Sequence, residues 1–199
     1  MGCWRDLWQE PQMTFVIVQL ANYDGRQQTG FPRPITPQTE PANSGWEQLR
    51  EAQRTVAKAD PYAELVVLND LGETVDIHPL RKKEAAERIG LCFDRLVYKN
   101  NKVKLSPEVV SVTISGPHIQ FTLDQPIQEG ELYTFEVAGD DKVFHNVDAI
   151  SKGNVITLLN FNAAITPRVI RYAWKDNPLQ ANVRSLSGLP MSSFELKVE

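Results

Sequence analysis

Apolar positions along the chain follow two different periods. Met13 to Leu20, "MTFVIVQL", is a short continuous apolar run rich in β-branched residues. Such a run predicts a strand buried on both faces. It leads into "ANYDGRQQTGFPRPITPQTEPANSG", which has four prolines, three glycines and no period. An aperiodic stretch of that length inside a compact domain is usually functional or mobile. Trp46, Leu49, Ala52 and Val56 then recur at helical spacing, predicting a helix over 46–59 with Ser44 as its cap. "AELVVLND" reads as a second apolar strand and "LGETVDIHP" as the loop leaving it. From Leu80 to Tyr98 the residues Ala85, Ile89, Cys92, Phe93 and Leu96 share one helical face, with charges opposite.

Strand, long loop, helix, strand, loop, helix is the order of a parallel sheet with crossover helices. Two such units are too few for a complete doubly wound domain, so the sheet is expected to be partial. After "KNNKVKLSPE" the period becomes two. "VVSVTISG", "HIQFTLD", "LYTFEVAG", "VFHNVDAIS", "NVITLLN" and "VIRYAW" alternate between turn residues, which predicts a small antiparallel β-sandwich or β-sheet module, with the sandwich preferred. The expected organisation is α/β plus β: an α/β part over 1–103 and a β module over 104–199.

Composition narrows the function classes. The 199 residues carry a net charge of -4, which gives no basic footprint for nucleic acid. No apolar run reaches the roughly 20 residues that span a bilayer, so no membrane is expected. The N-terminus, "MGCWRDLWQEPQMTFVIVQL", lacks the basic and apolar regions of a signal peptide. Two cysteines do not fix a redox compartment; Cys92, inside a helical apolar pattern, is expected to be a buried free thiol.

His78 is the candidate for chemistry. It follows the second strand and precedes a helix, and functional groups of open α/β sheets gather at the carboxyl ends of strands. A histidine base needs one ring nitrogen free for substrate and the other held by an acid or carbonyl. Asp70, Glu73 and Asp76 are the nearby acids. The plain alternative is that Asp76 caps the coming helix and His78 is a surface residue. His118 and His145 fall on predicted strands and read as structural or surface residues. No second His or Cys stands at metal-ligand spacing near Asp76 and His78, no phosphate-cradling glycine loop occurs, and no cofactor is expected. No serine sits in a Gly-x-Ser-x-Gly elbow. The residues thus offer a base without a nucleophile.

"FVIVQLANY", "WEQLREAQ", "DLGETVDIHPLRKKEAAERI", "TFEVAG" and "VIRYAWKDNP…GLPMSSF" resemble the C-terminal half of sialate O-acetylesterases and related carbohydrate acetylesterases. These belong to the Ser-Gly-Asn-His (SGNH) hydrolase superfamily, with a flavodoxin-like parallel sheet. The resemblance runs almost end to end, in family order. It implies that His78 is the catalytic histidine and that an O-acetylated sugar is the substrate of the complete enzyme. It also implies that the nucleophilic serine, in a Gln-Gly-Glu-Ser-type motif, and the oxyanion donors lie in a preceding segment. On that expectation the chain is inactive alone and pairs with that N-terminal half or with a second copy. The superfamily's acid usually stands three residues before the histidine, where this chain has Val75. Asp76 is the expected acid and Asp70 the alternative. Trp174, Asp176 and Asn177 are expected to be structural. The family is often secreted, periplasmic or lysosomal, and the sequence leaves the location of this chain unassigned. The competing expectation is a non-catalytic carbohydrate-binding or structural module.

Overall fold

The computed structural model describes residues 1–24, 45–115, 118–159, 162 and 165–198. Three helices are found among them: α1 (Gly2–Trp8), α2 (Trp46–Ala59) and α3 (Lys82–Leu96). The strands are β1 (Phe15–Val18), β2 (Ala63–Val66), β3 (Val109–Ser115), β4 (His118–Leu123), β5 (Gly130–Ala138), β6 (Phe144–Lys152), β7 (Val155–Leu159), β8 (Val169–Tyr172) and β9 (Phe194–Lys197).

β1 and β2 form the expected parallel pair, with Phe15 beside Ala63 and Val18 beside Val66. A parallel pair needs a crossover, and α2 supplies it. α2 starts and ends where the apolar spacing predicts. The serine cap expected at Ser44 lies outside the described residues; the helix begins from Gly45, whose φ of 84° suits a glycine. One expectation is corrected here. The β1 run is half-buried rather than buried on both faces, and Val18 is exposed. Beneath β2 and α3, Val66, Leu68, Leu71, Cys92 and Leu105 form a small core. Cys92 is the buried free thiol expected, and burial pushes its pKa up to about 12.

The second correction concerns the β module. All its strands lie in one antiparallel sheet, in the order β3-β4-β7-β6-β5-β8-β9, and not in two stacked sheets. The sheet curls on itself. Phe121 of β4 meets Phe194 of β9 at 5.8 Å, although four strands separate them in the ladder. Register breaks between Val109 and Ser111 and between Leu132 and Phe135 supply local bends, as β-bulges do. The second includes Thr134, held at φ 69°. Alternation along each strand dictates an inward face, which the curl closes into one core around Phe121, Phe135, Tyr172 and Phe194. α1 and β9 have no counterpart in the sequence expectation.

Candidate functional site

β1 and β2 end side by side, and the chain leaves each through a polar segment: Gln19 to Asp24 after β1, Asn69 to His78 after β2. The residues after β8, from Trp174 to Asn177, fold against both. Tyr23 N–H donates to the Asp176 carbonyl at 3.2 Å, and Asp24 N–H to the Thr74 carbonyl at 3.0 Å. Gly72 N–H donates to Asn22 Oδ1 at 2.6 Å. Gly72 is a close approach: a Cβ there would run into the Asn22 backbone oxygen. Three distant parts of the sequence therefore meet at the carboxyl ends of the parallel strands.

His78 stands in this region, in the loop between β2 and α3. Its Nδ1 lies 3.0 Å from Asp76 Oδ1, and its backbone N–H donates to the same oxygen at 2.8 Å. The backbone bond first, then the ring, hold the Asp76 carboxyl below the ordinary carboxylate range. The pair is on the surface: the His78 side chain is 83% exposed and that of Asp76 54%. Val75, Ile77 and Leu80 are exposed around it.

Asp70 is engaged elsewhere. Arg88 grips it with two bonds of 2.7 and 2.9 Å, and Arg184 adds a third at 2.8 Å. Burial pushes its carboxyl up, but these arginines hold it below the ordinary range. Asp70 thereby ties α3 to the segment before β9. Of the two acids proposed from sequence, Asp76 is the one beside the histidine.

No serine among the described residues is hydrogen-bonded to His78. Ser192 is buried, accepting from Gln19 Nε2 at 2.7 Å and donating to the Ser193 carbonyl. His118 and His145 are exposed on β4 and β6. Among the described residues no three His, Cys, Asp or Glu side chains gather in a way that could hold a metal ion. A groove of about 370 Å³ opens at the opposite end of β2, between Asp60, Ala63, Arg95 and Ser106. Two ion pairs lie within its lining, Arg95 with Glu64 and Arg54 with Glu108.

Sequence reasoning missed the charged group behind the site. Arg50, fully buried on α2, donates through Nη2 to the Lys175 and Asp176 carbonyls. Burial pulls its pKa down to about 10, opposed by Asp176 and then Glu47. Glu47 is buried too, and burial first, then a hydrogen bond to the Asp176 carboxyl, raise its pKa. Buried charges persist where they are paired and hydrogen-bonded. The helical spacing of α2 marked its apolar side and gave no sign that the charged positions 47 and 50 would be covered by residues 175–176. Trp174 is buried beside the Arg171 guanidinium.

No protein-family model matches the chain, and no curated protein matches it. Among solved structures, a carbohydrate acetylesterase from Xanthomonas citri is similar over 99% of this chain, with 25% identity and a TM-score of 0.80. The chain spans 44% of the length of that protein. In fold and in sequence, then, the chain is similar to a carbohydrate acetylesterase.

Proposed function

We infer that the chain is the histidine-bearing part of a serine carbohydrate O-acetylesterase of the SGNH type, with sialate-like O-acetylated sugars as substrate class. The observation that carries this reading is the Asp76–His78 pair at 3.0 Å, set in the loop after a parallel strand. A carboxylate on Nδ1 selects the tautomer that leaves Nε2 free as the base. In acyl transfer, a serine Oγ–H gives its proton to Nε2 while the oxygen attacks the acetyl carbonyl. The imidazolium returns that proton to the departing sugar oxygen. Water, deprotonated in turn by Nε2, then cleaves the acetyl-serine and releases acetate.

The serine and the oxyanion donors are assigned to a further segment. The open side of the α/β part supports this. β1 pairs only with β2 among the described residues, and Val18, Leu49 and Val56 are exposed, as are Trp4, Leu7 and Trp8 on α1. Unpaired strand edges and apolar patches mark surfaces that another chain segment covers. Hydrolysis of p-nitrophenyl acetate tests the reading. The chain alone is expected to match buffer, and a serine-bearing N-terminal segment, fused or added in trans, is expected to give turnover that His78→Ala abolishes. Turnover by the chain alone, lost in His78→Ala, would place the nucleophile within these residues. No turnover in any combination, with retained binding of acetylated sugar, would favour the non-catalytic carbohydrate-binding module.

A further inference from the structure

The His78 loop is tied at its start to neighbouring segments and runs at its end into α3. Gly72 and Thr74 are bonded through their backbone to Asn22 and Asp24. Beyond Thr74, the residues Val75, Asp76, Ile77 and His78 are all exposed. Exposed segments with few buried contacts open most easily, so the place of the Asp76–His78 pair depends on the fixed points that flank it, Thr74 before it and the start of α3 after it. The Thr74 hydroxyl accepts from Asn177 Nδ2 at 3.0 Å, and Asn177 Oδ1 accepts from Asn22 Nδ2 at 2.8 Å. Asn22 and Asn177 are 4% and 5% exposed. One amide therefore joins the segment after β8 to the segment after β1 and to the histidine loop. An amide suits the position because it carries a donor and an acceptor in one plane.

We propose that Asn177, acting through Thr74, is a positioning residue of the histidine site: the β module sets where the Asp76–His78 pair stands. The catalytic meaning of this rests on the esterase reading above; its physical content does not. Asn177 and Thr74 touch no reacting atom. They keep the loop in one place, and errors of about 1 Å in such placement can cost about 100-fold in rate.

The test uses the whole chain, labelled with ¹⁵N-histidine. His118 and His145, exposed on β4 and β6, are internal references. Thr74→Val removes the hydroxyl while leaving the Asn22–Asn177 bond in place, and Thr74→Ser restores an oxygen. The expected result is that Thr74→Val moves the His78 ring ¹⁵N shifts towards those of the two references. Hydrogen exchange at the amides of 75–78 is expected to quicken about tenfold, the fold-change of about 1.4 kcal/mol. Thr74→Ser should keep wild-type values, and the reference histidines should not move in either variant. Unchanged His78 shifts and unchanged exchange in Thr74→Val would overturn the proposal, whether or not a serine-bearing segment yields esterase activity. Shifts that move as expected while no combination hydrolyses ester would leave the positioning role standing and sink the esterase reading instead. Asn177→Ala should reproduce Thr74→Val; should it fail to fold, the Thr74 pair carries the test.

Discussion

The β module and the α/β part differ in how fully each covers its own apolar surface. Among the described residues, seventeen buried apolar side chains line the curled sheet, against five in the cluster under β2 and α3. The sheet closes because every strand contributes its inward face and the curl brings those faces together. Two parallel strands with a helix crossing between them cannot do the same. Their pleats face two directions, and Val18, Leu49, Val56 and Phe93 remain exposed. The difference shows which part closes round its own core and which leaves large apolar side chains exposed. It also explains why the candidate histidine, placed on the open part, is so exposed.

The sharpest way to break this contrast is to truncate one aromatic in each region. Phe135 is fully buried, and Phe135→Ala is expected to lose about 3–5 kcal/mol in urea unfolding. Phe93 of α3 is 46% exposed, and Phe93→Ala is expected to stay within about 0.5 kcal/mol. Equal losses would mean that the α/β part is as closed as the sheet.

A smaller effect concerns the joint between the two regions. Asp70→Asn weakens the grip on Arg88 and Arg184 and is expected to cost about 2 kcal/mol at pH 7. The sign follows from the lowered carboxyl. A depressed folded pKa gives stability that is present above the unfolded value, about 3.9, and lost as pH falls through the folded value. The gap between wild type and Asp70→Asn should therefore be full at neutral pH and close below about pH 4. Urea midpoints at pH 7 and pH 3 check this; a gap that widened in acid would contradict the pairing.

The smallest effect on stability is expected at His78. Its side chain is 83% exposed, so His78→Ala should shift unfolding by less than about 0.5 kcal/mol. A larger loss, read from thermal unfolding, would mean that the ring is structural.

Much of the local structure was legible from periodicity. The limits of α2 and the parallel pairing of β1 and β2 follow from where the apolar period lies and from the crossover that parallel strands need. α1 was not legible, because seven residues are too short for a helical period to register. Its anchor is distant in sequence: Arg5 bonds Asp60 at 2.6 Å. β9 is four residues long and shows its strand character only beside β8. At the site, Asp76 was legible as the expected acid beside His78, with Asp70 as the alternative. Glu47, Arg50, Asn22 and Asn177 were not, since each looks like an ordinary polar residue until the chain folds.

The sequence by itself determined the change of period from helical and continuous apolar to alternating, and with it an α/β part followed by antiparallel strands. It also placed Asp76 within reach of His78, because the two stand only two residues apart. Only the tertiary structure decided that the strands share one curled sheet, since alternation specifies an inward face but not which strands exchange hydrogen bonds. Only the tertiary structure turned Asp70 to Arg88 and Arg184, and brought residues 22, 74 and 177 together. Such contacts join positions up to 155 residues apart, where pairing is set by packing rather than by any local pattern.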